Sequence, residues 1–401
     1  MRILFIACRV PYPPLRGDQV RCFHFLRILS KRHHVTLVTP VVAPINEHIR
    51  QIVHQLCGRW LPIYKHSSQI ITSLIRYPYS PLPLQVLYFH LPAFKKQIQS
   101  LLQKETFDVV HVQLARIAPI AEELYNIPKV LDFIDALSLN MRYRGLQTRG
   151  PLKWFFYLEA KRMAHYERHL TSLFDQLIVS SPFDQKIIGS CKTLHVVPNG
   201  VDTKEFPYIE NERKDNLIIF TGRIGYFFNT QAAVYFATKV FPIVLQEVPS
   251  ARFLIVGADP PRAVQRLANL PNIEVIGYVP RIHSYLSKAT IAVAPAQIGT
   301  GIQNKVLEAM ASGTPVVATS HVLKGIEAKD GEHLLVANDS YQMAYQVIRL
   351  LRDSALRYHL ARNARQLVEK KYSWEHAAAM LDRIYHLARA KKRHTQGDNS
   401  I

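Results

Sequence analysis

The chain has 401 residues, 48% of them hydrophobic, which suits two ordinary cores rather than one. Its formal net charge is +20, and residues 1–200 hold the larger excess, with 25 Lys/Arg against 12 Asp/Glu. Such a basic half suits an anionic lipid surface or a phosphorylated ligand, while the absence of helix-turn-helix, zinc-finger and RNP-type patterns excludes the common nucleic-acid modules.

In chain order, Arg2–Cys8 reads as a first strand, too short for a signal-peptide core. Further strands are predicted at Val35–Thr39, Asp108–Val112, Lys129–Phe133, Gln176–Val179 and Leu194–Val197. The second half repeats the rhythm at Leu217–Thr221, Arg252–Val256, Ile273–Ile276, Ile291–Ala294, Pro315–Ala318 and His333–Val336. Helical patterns fill the gaps, so each half reads as a doubly wound α/β domain whose ligands bind beyond the carboxyl ends of parallel strands. Turn residues at Pro198-Asn-Gly200 mark the boundary between residues 1–198 and 199–372. A last helix is expected over 373–393, and the polar end from Lys391, including the tail 394–401, as frayed chain. Cys8, Cys22, Cys57 and Cys191 are scattered without a C-x-x-C pair, which argues for a reducing, cytoplasmic setting. No apolar run reaches the ~18–20 residues of a spanning helix.

The stretch from Gly299 to Val317 is the richest in chemistry. A Gly299-Thr-Gly301 turn feeds a short amphipathic helix that stops at Gly313 before a buried strand. Amides at such a helix start point toward an anion, Lys305 adds a cation and Glu308 a carboxylate for sugar hydroxyls. The bland alternative is a solvated Lys305–Glu308 pair. Arg223 ends a strand after Gly222, where it can chelate phosphate oxygens or simply sit at the surface. Asp132 and Asp135 lie at another strand end; Asp135 can hold acceptor hydroxyls or steady an anomeric cation, or cap the next helix. Asp18 reads as the N-cap of a helix in which Arg21 faces solvent. His111 reads as a core histidine. No D-x-D, HExxH or GxSxG motif occurs, so no metal and no cofactor is expected.

Gly301 to Pro315 resembles the donor-site helix of the family 4 (group 1) retaining glycosyltransferases, whose pattern is Glu, seven residues, Glu, then Ala-Met-Ala-x-Gly-x-Pro-Val. Val197-Pro-Asn-Gly-Val-Asp202 with Phe206 resembles the family's interdomain segment, and Phe220-Thr-Gly-Arg223 its diphosphate-gripping strand. The resemblance implies a GT-B fold, two Rossmann-like domains facing a cleft, with the last helix crossing back to the first. It implies that Glu308 holds the donor ribose. Two positions depart from the pattern: the first Glu falls on Thr300, and the usual Lys six residues after the Arg is Asn229. Lys305 is then the candidate second phosphate cation, and Ile302, Gln303 and Asn304 complete the donor loop, the two amides replacing lost hydrogen bonds. By the same resemblance Gly17 and Asp18 lie on the loop under the donor phosphates, and Gln113 ends a strand near the donor sugar. The departures together with Gly-Ile-Gln-Asn-Lys305 resemble a narrower branch, the sugar transferases associated with exosortase and exopolysaccharide clusters.

The activity that the resemblance implies is a metal-independent transfer of sugar from a nucleoside-diphosphate donor to a glycan acceptor, lipid-linked in the branch reading. A nucleotide-sugar epimerase of the same fold and a weakened binding relic are the rivals. Arg142–His169 interleaves cations with Tyr143, Trp154, Phe155, Phe156 and Tyr157. It suits either an anionic membrane interface or a half-buried helix. Tyr77–Phe94, rich in Pro and bulky apolar residues, reads as a packed irregular insert or an acceptor entrance.

Overall fold

The computed structural model describes residues 1–65, 71–72, 75–89, 92–189, 191–209, 213, 216–299 and 301–397. The chain divides into two units, Met1–Pro198 with Ala377–Ile401, and Asn199–His376.

In the first unit seven parallel strands are ordered β3-β2-β1-β4-β5-β6-β7. They are β1 (Arg2–Ala7), β2 (His34–Val41), β3 (Arg59–Tyr64), β4 (Val109–Gln113), β5 (Lys129–Ile134), β6 (Gln176–Val179) and β7 (Leu194–Val196). Central β1, β4 and β5 are almost wholly buried, as expected of parallel strands covered on both faces. Strand β3 goes unpredicted in the sequence. It is an edge strand interrupted by Pro62, and neither a buried run nor clean alternation betrays it.

The second unit has six parallel strands ordered β10-β9-β8-β11-β12-β13. These are β8 (Leu217–Thr221), β9 (Arg252–Val256), β10 (Ile273–Gly277), β11 (Ile291–Ala294), β12 (Val316–Ala318) and β13 (Leu335–Val336). In both sheets the strand order reverses beside the first strand, between β1 and β4 and between β8 and β11. Ligands of open parallel sheets bind at such switch points, beyond the carboxyl ends.

Three expectations need correcting. The C-terminal helix spans Trp374–Gly397, so Lys391–Gly397, expected to fray, are helical, while the rest of the expected tail lies outside the described residues. The stretch Tyr77–Phe94 is not irregular where described: a 3-10 turn Tyr77–Tyr79 precedes helices Leu84–Phe89 and Pro92–Lys104. It is anchored by Glu159, which accepts from Tyr77 Oη at 3.0 Å and from the Leu84 amide at 2.9 Å. Arg142–His169 is a hairpin of two helices, Leu137–Gln147 and Leu152–Leu173, whose close packing places Gly145 against Phe156 and Tyr157. Among the described residues no helix is long and apolar enough to cross a membrane.

Candidate functional site

At the switch point of the second unit, β8 ends in Gly222-Arg223. Gly257, at the end of β9, has φ +150°, and a Cβ there would come within 1.7 Å of the Gly222 carbonyl oxygen. Only glycine lets the two strand ends pack this closely and turns Arg223 outward. Its guanidinium donates from Nε to one oxygen of Asp259 at 3.1 Å, and Nη2 forms an ion-pair contact with the same oxygen at 3.1 Å. Six residues on, Asn229 donates from Nδ2 to the Arg223 carbonyl at 2.9 Å. Its Oδ1 accepts from Lys305 Nζ at 2.5 Å.

Lys305 comes from the neighbouring strand's loop. Beyond β11 the chain runs through Gly299 and Gly301 into the helix Asn304–Ala311, with Thr300 outside the described residues. Val306, Leu307, Met310 and the alanines of that helix are buried, leaving Lys305 and Glu308 on the opposite, partly open face. Gln303 is the N-cap residue and supplies no side-chain cap. Asn304 Oδ1 accepts from Asn199 at 3.0 Å, tying the helix start to the Pro198-Asn-Gly200 segment. His321 Nε2 lies 2.7 Å from the Gly299 carbonyl. At the other end two arginines satisfy carbonyls the helix leaves open. Arg365 reaches Ala311 O at 2.6 Å and Arg213 reaches Ser312 O at 2.9 Å.

Electrostatically the helix start is poised. Burial lowers Lys305 to about 8, opposed by the nearby Glu308 carboxylate. Burial likewise raises Glu308 to about 7, assisted by Glu205 and opposed by Lys305. The Lys305 ammonium also sits over the Phe220 ring, 4.6 Å from its centroid. The solvated Lys305–Glu308 pair is therefore not what forms: Lys305 bonds Asn229, on the segment after β8.

The first unit gathers its predicted residues at the matching switch point. Gln113 ends β4, is buried, and donates to the Asp18 carbonyl at 3.2 Å. Asp18 is not an N-cap: the helix runs Gly17–Leu29 with Arg16 in the capping position, and Asp18 in its first turn pairs with Arg9. Gly17 stands in open space, where a Cβ would meet nothing within 4 Å. Arg21 does not face solvent. It is fully buried and bonds Asp132 at 2.6 Å, whose other oxygen accepts from the Ile134 amide at 2.9 Å. Asp132 is thus an internal strut. Asp135, one residue past β5, remains partly open. The loop behind it is held by two buried carboxylates, Asp184 on the Ala136 amide at 3.0 Å and Glu167 on the Ser138 amide at 3.1 Å. His111 is a core residue, stacked on Phe5 at 4.1 Å and bonded to Tyr385 Oη at 3.0 Å; burial lowers its pKa to about 3.

Sequence reasoning missed Asp259, Asn229 as a ligand of Lys305, and the capping pair Arg213 and Arg365. All are long-range contacts without a local signature. Among the described residues no group of three His, Cys, Asp or Glu side chains could hold a metal ion.

Two parallel α/β units of this topology constitute the GT-B fold. The solved sucrose-phosphate synthase from Thermosynechococcus elongatus matches with a TM-score of 0.71 at 17% identity, over 98% of this chain and all of that one. Residues 16–205 match the model for Glycosyltransferase Family 4, and residues 215–353 that for Glycosyl transferases group 1. The chain belongs to the family 4, group 1 glycosyltransferases. An uncharacterized 44.6 kDa protein in the cps region of Klebsiella pneumoniae is 22% identical over 92% of this chain and 96% of its own length. A phosphatidyl-myo-inositol mannosyltransferase of Mycobacterium leprae is 27% identical, and the match spans only about half of each chain, 47% and 52%.

Proposed function

We propose that the protein moves a sugar from a nucleoside-diphosphate donor onto a lipid-linked glycan acceptor in exopolysaccharide synthesis, retaining anomeric configuration and using no metal. The observation that carries this reading is the gathering of Arg223, Lys305 and Glu308 at the switch point of the second unit. In this reading the diphosphate lies against Arg223, Lys305 and the Gly299–Gly301 turn. Glu308 accepts the ribose hydroxyls, while Ile302, Gln303 and Asn304 border the transferred sugar. The bond from anomeric carbon to β-phosphate oxygen breaks, the acceptor oxygen takes its place, and the acceptor's proton leaves with the nucleoside diphosphate. Two cations at fixed positions neutralise the charge building on the leaving group. Asp135 and Gln113 are assigned to the anomeric centre and acceptor, and the Gly17-Asp18 turn to the donor phosphates. The Asp18 carboxylate is already paired to Arg9.

The exopolysaccharide role draws support from the capsule-region relative, and the lipid acceptor from the mannosyltransferase whose name specifies a phosphatidylinositol. A lipid acceptor calls for a membrane-facing surface. The first unit offers one: Trp154 is 72% exposed and Tyr79 91%, beside open Leu146, Leu152 and Leu158 and exposed Arg142, Arg149 and Lys161. Aromatic and basic side chains mixed in this way suit an anionic interface.

Donor binding tests the core of the proposal. Calorimetry with a panel of nucleotide sugars should find one that binds, and Arg223→Ala should weaken it by about 10- to 100-fold through loss of charged hydrogen bonds. An unaltered affinity in that variant would remove Arg223 from the site.

A further inference from the structure

The two candidate phosphate cations differ in how they are held. Arg223 already has an acidic partner, with both Nε and Nη2 close to one oxygen of Asp259. Lys305 makes no ion pair among the described residues: its ammonium meets only an amide oxygen and an aromatic face. The nearby Glu308 carboxylate acts on it without forming an ion pair and does not offset the desolvation, so its pKa is lowered. The amide responsible is bound at both ends, since Asn229 also grips the Arg223 carbonyl. Gly222 leaves the room it needs, because a Cβ there would stand 3.3 Å from Asn229 Nδ2 and 3.8 Å from Lys305 Cδ.

We propose that Asn229 is a positioning residue that aims the Lys305 ammonium at the second phosphate of the donor without itself neutralising it, so that positions 229 and 305 together set the preference for a nucleoside diphosphate over a monophosphate. The proposal rests on the donor-site reading of Arg223, Lys305 and Glu308. Asn229 can accept from the ammonium without neutralising it, whereas a carboxylate of the same shape would occupy the cation and repel the phosphate. The diphosphate then displaces an acidic competitor from Arg223 but none from Lys305, which makes Lys305 the first anchor.

Calorimetry with UDP against UMP, GDP against GMP and ADP against AMP on the intact protein identifies the base and the wild-type preference. Lys305→Gln should reduce that preference by about 10-fold or more, acting on the diphosphate alone. Asn229→Asp should do the same although lysine is retained. The exchange variant Asn229→Lys with Lys305→Asn, which returns one ammonium to the same neighbourhood from the other helix, should restore the preference to within a few-fold. Thermal melting checks that each variant folds. Should Asn229→Asp keep the wild-type preference, or lose diphosphate and monophosphate equally, the proposal falls. Failure of the folded exchange variant to recover would also overturn it. If Arg223→Ala weakens donor binding while the position-229 variants do not change the preference, only this inference is lost. If the wild type prefers no diphosphate, the donor-site reading falls with it.

Discussion

At rest Arg223 is paired with Asp259 whereas Lys305 and Glu308 are held at pKa values of about 8 and about 7, one lowered and one raised by the same burial. The two groups lie three residues apart and titrate as a coupled pair. In the proposed donor site Glu308 would accept ribose hydroxyls best when ionised, so donor affinity should rise as pH passes upward through about 7. On the same proposal Lys305 would attract the diphosphate only when protonated, so affinity should fall as pH passes upward through about 8. Calorimetry should therefore give a bell-shaped affinity with its maximum between those values. A nucleotide sugar is the ligand to use, because a terminal phosphate would itself titrate near ~6. Lys305→Arg should flatten the alkaline limb and Glu308→Gln the acid limb; a wild-type affinity constant from pH 6 to 9 would contradict both assignments. The identity of these residues was legible in sequence, because a glycine turn, a cation and a carboxylate on one short helix form a local pattern. Their partners were not, since Asn229 and Lys305 lie 76 residues apart.

Among the elements, twelve of the thirteen strands announce themselves as apolar runs, since a parallel sheet covered on both faces needs no polar alternation. The missing strand, β3, lies at the edge and carries Pro62, so it lacks that signature. The helix Gly17–Leu29 misled for the opposite reason. Arg21 on a helix next to a glycine-rich loop reads as surface, yet Asp132 lies 111 residues away on β5 and draws it inside. That buried pair gives a stability prediction. Removing one partner strands a charge in the core, and Arg21→Met should cost about 3–5 kcal/mol in chemical denaturation. Replacing both, as Arg21→Met with Asp132→Leu, should recover most of the loss. Equal destabilisation of the single and double variants would show that packing of Arg21 over Phe25, 4.7 Å from the ring centroid, matters more than its charge.

At the scale of the whole molecule, the chain carries +20, weighted toward the unit with the exposed aromatic hairpin. Sequence could not decide whether those aromatics were core or surface. The structure divides them, with Phe155 and Phe156 partly covered and Trp154 72% exposed. The other tryptophans, Trp60 and Trp374, are buried, so Trp154 should report contact with lipid by a blue shift in fluorescence. Each exposed Lys or Arg near an anionic surface contributes about 1 kcal/mol, fading beyond a Debye length of ~8–10 Å. Vesicles with anionic lipid should shift the emission at low salt and not at high salt, and neutral vesicles should do little. Arg142→Glu, Arg149→Glu and Lys161→Glu together should abolish the shift while donor binding persists. Indifference of the wild type to anionic vesicles at low salt would point to a soluble acceptor.

Sugar transfer itself is tested most directly by product mass. The purified protein would be incubated with the nucleotide sugar it binds, with and without a lipid-linked glycan fraction, and both substrates followed by mass spectrometry after a chromatographic step that separates isomeric sugars. A transferase of this kind should add one sugar residue to the glycan and release an equal amount of nucleoside diphosphate, with a yield that chelator leaves unchanged. Glu308→Gln should give neither product. A donor that remains intact with every acceptor, or that is converted to an isomer of the same mass without any acceptor, would contradict transfer.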